Sequence, residues 1–215
     1  MNEQRTKALI RVMGITIAAM ILFGSSASAV QTCCGEKVDS KVLLRQTMHK
    51  LWAEHAIWTR EYIVASIAGS PDAEEASNRL LKNQEDIGNA IAPFYGIEVG
   101  EKLTELLKAH ILIAVDVVGA AKSGDQAKLK EADQKWHDNA DAIASFLSGA
   151  NAYWRQKDLA DLMHRHLSLT TDEVVARLQK NWREDIVAFD KNLDHMMMMA
   201  EGLADGIIKQ FPARF

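Results

Sequence analysis

The spacing of apolar residues beyond residue 39 constrains this chain more than any other feature. They recur at intervals of three and four, the period of an amphipathic helix, and no long segment alternates at two as a strand would. Breakers cut the pattern into pieces. Asp39-Ser40 opens a first helix that runs to about Ala68, where Gly69-Ser70-Pro71-Asp72 ends it and starts a second. The second runs to about Ala92 and stops at Pro93-Phe94-Tyr95-Gly96. A third covers about Glu98 to Lys122 and a fourth about Gln126 to Ser148. A short fifth helix starts near Gln156. Thr170-Thr171-Asp172-Glu173 then has the form of a capping box, with Thr170 as N-cap of one long last helix reaching about Lys209. Short loops make consecutive helices antiparallel neighbours. The expectation is therefore an all-α, antiparallel up-down bundle occupying 39–215 as one domain.

An ungapped shift of 56 residues superposes part of this pattern on itself. It pairs Asn83 with Asn139, Ile87 with Ile143, Leu103 with Leu159 and Leu106 with Leu162, and also His110 with His166. Apolar matches alone arise between any two amphipathic helices. A histidine at the same phase is rarer and points to an internal two-helix repeat, the second and third helices resembling the fourth and fifth.

The first 29 residues read differently. Arg5, Lys7 and Arg11 precede an uncharged apolar run, Val12 to Phe23, and Ala27-Ser28-Ala29 has the form of a signal-peptidase site. The run is short for a membrane span. Residues 1–29 are thus expected to be a signal peptide, with an uncleaved anchor as the alternative, and 30–38 a flexible mature N-terminus. The address is periplasmic or extracellular, with no stable membrane span after cleavage. Cleavage would remove Glu3, Arg5, Lys7 and Arg11 and take the formal charge from −4 to −6, which argues against nucleic acid as a partner. Two cysteines, Cys33 and Cys34, are too few for a disulfide scaffold, and no C-x-x-C is present.

Three histidines stand at the centre of apolar stripes. His55 lies among Leu44, Met48, Leu51, Trp58 and Tyr62. His110 lies among Leu103, Leu107 and Val117, and His166 follows Leu159, Leu162 and Met163. Gln84 also takes a core phase, with Asn83 and Asn139 on matching shoulders. Burying an imidazole without partners is costly. Either the rings bond to one another and to side chains such as Gln84 and Tyr62, or they form a metal site. Imidazole nitrogens suit Cu or Zn, and facing helices of a bundle are where such sites are built. His55, His110 and His166, with His195 assisting, are the candidate ligands. His49, His137 and His164 fall off their stripes.

Asp194-His195-Met196-Met197-Met198-Met199 is apolar on more than one side. Ala188, His195, Met199, Gly202 and Gly206 share a second face whose small residues would let a partner helix or a second copy approach. Methionine and histidine together also suit copper(I). Adaptable methionine packing against a neighbouring helix is the simpler reading.

Nucleotide-binding loops, the G-x-S-x-G elbow and H-E-x-x-H are all missing from the sequence. The residues point to a non-catalytic binding protein with a Cu or Zn site, or to an interaction module with a helix-binding face and no metal.

Leu51-Trp52-Ala53-Glu54-His55-Ala56-Ile57-Trp58-Thr59-Arg60 resembles the opening signature of a family of small exported bacterial helical proteins. Pro93-Phe94-Tyr95-Gly96, Leu107-Lys108-Ala109-His110-Ile111, Asn139-Ala140-Asp141, Thr170-Thr171 and Gly206 to Pro212 carry the likeness across about Leu43 to Phe215. Members often bear enzyme labels such as glycosyltransferase or acetylglutamate kinase. The resemblance implies an exported helical bundle and adds no mechanism.

Overall fold

The computed structural model describes residues 39–215. The segments read as a signal peptide with its cleavage site and as a flexible mature N-terminus, with the Cys33-Cys34 pair, lie outside the described residues. Six helices follow: α1 (Ser40–Ala68), α2 (Ala73–Tyr95), α3 (Ile97–Ser123), α4 (Gln126–Ala150), α5 (Gln156–Leu178) and α6 (Trp182–Gln210). A 3-10 turn, Pro212–Arg214, closes the chain. No helix among the described residues is long and apolar enough to cross a membrane.

Local chemistry sets most helix ends. The Asp39 carboxylate accepts from Lys41 N–H and caps α1, and Asp125 accepts from Lys128 N–H and caps α4. Gly69 and Gly124 close α1 and α3 in the left-handed region, at φ 71° and 72°. Pro93 does not stop α2, which continues to Tyr95. A proline in a last turn forfeits one backbone bond, here to the carbonyl of exposed Asn89, which water can satisfy.

Each helix packs against its neighbours in the chain, and α6 returns to α1, so the bundle closes on itself. α1 also touches α3 and α5. α2 and α3 approach closely: a Cβ on Gly88 would lie 2.5 Å from the Gly100 carbonyl oxygen. Side chains such as Met48, Ile87, Ile143, Met196 and Ile207, all about 1% exposed or less, fill the space between helices. Each contributes about 1.5–3 kcal/mol by leaving water.

The C-terminal third differs from expectation. α5 is not short and does not end before Thr170; it runs through Thr170-Thr171-Asp172-Glu173 to Leu178, and the break falls at Gln179-Lys180-Asn181. Thr170 is no N-cap, because its hydroxyl donates back to the His166 carbonyl one turn earlier. Glu173 reaches out of the helix to Arg60 on α1. The real cap is Asn181, whose side chain accepts from Glu184 N–H, and Lys180 adopts φ 57° to make the turn. The stripe that suggested one continuous helix is not all core: Val175, Trp182 and Ile186 are exposed.

Candidate functional site

His55 on α1, His110 on α3 and His166 on α5 are 2–3% exposed and meet inside the bundle. The ring centroids of His55 and His166 are 5.4 Å apart, and those of His110 and His166 are 6.1 Å apart. An amide from the following helix holds each Nδ1. His110 bonds Asn139 Oδ1 at 2.7 Å, His166 bonds Asn192 Oδ1 at 3.0 Å, and His55 meets Gln84 Nε2 at 3.2 Å.

These partners decide where the protons sit. Asn139 Nδ2 donates to the Leu106 carbonyl and Asn192 Nδ2 donates to Thr170 Oγ1, so both amides turn their oxygen toward the ring. His110 and His166 therefore carry the proton on Nδ1 and leave Nε2 as an acceptor. Gln84 turns its nitrogen toward His55, and that nitrogen's two hydrogens are shared among His55 Nδ1, the Leu80 carbonyl and Asn83 Oδ1. His55 then accepts at Nδ1 and carries its proton on Nε2.

Burial keeps all three rings neutral. It pushes His110 down to about 3, with repulsion from His166 adding to the effect. Burial also brings His166 down to about 4 against the opposing bond from Asn192. His55 falls well below its ordinary value through burial first, then through His166 and His110.

A second set of bonds repeats across the hairpins. Asn83 Nδ2 donates to the Leu51 carbonyl and Asn139 Nδ2 to the Leu106 carbonyl, while His195 Nε2 donates to the Leu162 carbonyl. Each of these leucines lies four residues before one of the three core histidines. His195 thus ties α6 to α5, with its Nε2 committed to that carbonyl.

The three rings border a chamber of about 80 Å³ between α1, α3, α4 and α5, with Leu80 of α2 also in its wall. Its walls are largely Ile, Val, Leu and Ala, and the lining includes no Asp, Glu, Lys or Arg. Thr59, Trp136, Tyr62 and Thr170 join the histidines. Thr171 and Val175, both exposed, place one edge of the chamber at the surface. Three lining residues hold buried polar atoms without a partner: Thr59 Oγ1, His110 Nε2 and Trp136 Nε1. The His110 and Trp136 rings lie 5.4 Å apart. Among the described residues, no group of three or more His, Cys, Asp or Glu side chains is arranged to hold a metal ion.

Thr59, Trp136 and Asn192 were not singled out from the sequence as site residues. Phase could have flagged Trp136, one turn before Asn139. The role of Asn192 depends on where α6 starts, which the sequence pattern misplaced.

The face formed by Ala188, His195, Met199, Gly202 and Gly206 is mostly covered from within. Ala188, His195, Met199 and Gly206 are buried, and Trp154 lies so close to Gly206 that an added Cβ would fall 1.9 Å from its Nε1. Gly202 alone is exposed, with open space before it. The small residues make room for the chain's own tryptophan, so this face does not offer a free surface to a partner helix. Of the methionines, Met196 and Met199 are buried and Met198 is 61% exposed.

A buried charge cluster lies along α5 from the chamber. Arg60 bonds Glu173 at 2.7 Å and both carboxylate oxygens of Asp185 at 3.0 Å, and Arg177 also bonds Asp185. Burial pushes the Glu173 carboxyl up to about 7 against the pull of Arg60.

Comparison of the chain with family models, with curated proteins and with solved structures finds no match.

Proposed function

We propose that this is an exported, non-catalytic binding protein whose ligand occupies the three-histidine chamber. One observation carries the reading: three of the residues that line this one chamber, Thr59, His110 and Trp136, each hold a buried polar atom without a partner. An unpaired buried polar group costs about 1–3 kcal/mol, so three of them beside one chamber set this region apart from the rest of the core. The lining holds imidazoles but no carboxylate or lysine beside them.

A second reading makes the ligand a transition-metal ion, Cu or Zn, on His55, His110 and His166. The amide oxygens on Nδ1 of His110 and His166 favour it, because metal-bound imidazoles are commonly oriented by such a bond. It requires His55 to move its proton from Nε2 to Nδ1 and the rings to adjust. His195 would not assist through Nε2, which the Leu162 carbonyl already holds.

Both readings meet one test. Untagged protein is analysed for metal by elemental analysis and for retained organic molecules by native mass spectrometry, beside a His110→Ala/His166→Ala variant. The expected result is a stoichiometric species on the wild type that the variant lacks. Equal content in the two proteins would remove the chamber as the binding site.

A further inference from the structure

We infer that the chamber holds a small apolar molecule, one that carries no charge, makes no hydrogen bonds and is smaller than benzene. The inference rests on the chamber being the binding site and names the ligand class.

The chamber is built from one motif used three times. Steps of 55 and then 56 residues lead from His55 to His110 to His166. One turn further along α1, α3 and α5, the same steps lead from Thr59 to Ala114 to Thr170. Another turn on, they lead from Ile63 to Val118 to Val174. All nine of these residues line the chamber, so each odd-numbered helix contributes the same three turns to it. On the other side of the imidazoles the three helices present Trp52, Leu107 and Met163 around a space of only about 20 Å³. Residue size accounts for the difference: two threonines and an alanine leave room that a tryptophan, a leucine and a methionine fill. A void of about 80 Å³ bounded by corresponding turns of all three helices is a built feature, not a local packing fault.

The wall chemistry sets the ligand class. Nearly all of the surface open to the chamber is carbon. Thr170 turns its hydroxyl back to the His166 carbonyl and accepts from Asn192. Thr59 Oγ1, His110 Nε2 and Trp136 Nε1 are shut in by the atoms packed round them. A water needs about 10–15 Å³ and two to four polar partners. The volume has room for several waters, but carbon walls offer them no partners, and an apolar space of this kind stays dry. The lining includes no Asp, Glu, Lys or Arg, so a charged molecule would lose its hydration for no opposite charge. An apolar molecule leaves water favourably and gains close packing. Benzene occupies an apolar cavity of about 150 Å³, and this chamber has roughly half that volume. The occupant is therefore a single large atom, a diatomic gas or a chain of about three carbons. The exposed edge at Thr171 and Val175 places the chamber within reach of a molecule arriving from solvent.

Xenon serves as the probe, with propane and ethanol as competitors that differ by a methyl group in place of a hydroxyl. Binding to the folded full chain at pH 7.5 is read from xenon NMR shifts. Xenon should bind saturably, and propane should displace it at a concentration at least about tenfold lower than ethanol. Ala114→Leu and Val118→Ile fill the chamber from two turns of α3, and neither residue lines the smaller space beside Trp52. Each should weaken xenon binding, by at least about tenfold for Ala114→Leu. Gly202→Ala, which faces open space, should leave it unchanged. Ethanol competing as well as propane would overturn the ligand class and leave the chamber as a binding site. Xenon binding unchanged in whichever filling variants fold would place the gas elsewhere and overturn the inference. Wild-type chain that takes up no xenon, yet retains a metal ion or organic species that His110→Ala/His166→Ala lacks, would overturn this inference and leave the proposed function standing. A chain that shows neither would overturn both.

Discussion

Acid should destabilise this protein through its three core imidazoles. Their unfolded pKa values lie near 6.5. In the folded chain His110 is near 3, His166 near 4, and His55 well below the ordinary value. Below about pH 6.5 the unfolded chain binds protons that the folded chain refuses. The stability is thus fully present above that pH, is lost as pH falls toward the folded values, and stops falling below them. At pH 5, about 1.5 units under the unfolded value, each ring that stays neutral costs about 2 kcal/mol. His110 and His166 together remove about 4 kcal/mol by then, and His55 acts in the same direction. Glu173 works against them. Its folded pKa, about 7, lies above the unfolded one, so the folded chain gains a proton first and recovers about 2–3 kcal/mol by pH 5. The net loss is a few kcal/mol, a large share of the 5–15 kcal/mol typical of a whole domain. Urea unfolding at pH 7.5 and 5 measures it in the wild type, in Glu173→Gln, and in His55→Leu/His110→Leu/His166→Leu. The wild-type midpoint should drop, the drop should deepen in Glu173→Gln, and the triple variant should lose it. A triple variant with the wild-type pH dependence would refute the reasoning, as would equal midpoints at both pH values in wild type and Glu173→Gln.

Two further outcomes follow from packing and buried charge. Gly206→Ala sets a methyl group against the buried Trp154 indole and should cost about 1–3 kcal/mol in thermal melts, whereas Gly202→Ala, facing open space, should be neutral or gain up to about 1 kcal/mol from helix propensity. Arg60→Ala strands Glu173 and leaves Asp185 with Arg177 alone, both side chains being 1% exposed, and should cost about 3–5 kcal/mol in urea unfolding; Arg60→Lys should restore only part, because an ammonium cannot reproduce the two-pronged bond to Asp185.

Much of the site was legible because helix phase is a local property. His55, His110, His166 and Gln84 are buried where a rotation of 100° per residue places them, and Asn83 is buried with them. The shift of 56 residues paired Asn83 with Asn139, and these side chains make the same bond to a leucine carbonyl. Less legible was the handover in the last hairpin. There His195 takes the carbonyl bond while Asn192 takes the imidazole, a division that depends on where α6 begins.

By itself the sequence determined the all-helical class, the cap at Asp39, the glycine stops at Gly69 and Gly124, and the inward phase of the three histidines. These depend on backbone geometry and on bonds within a few residues. Tertiary structure alone decided that Thr170 and Glu173 lie inside a helix rather than at its start, because their alternatives to a capping box are Asn192 on α6 and Arg60 on α1. It also decided that Gly206 seats Trp154 rather than a partner, and that Thr59 and Trp136 share a chamber with His110. Thr59, His110 and Trp136, 26 to 77 positions apart, meet there only after the helices have packed, and a local pattern carries no signal for which buried polar atoms packing will leave unpaired.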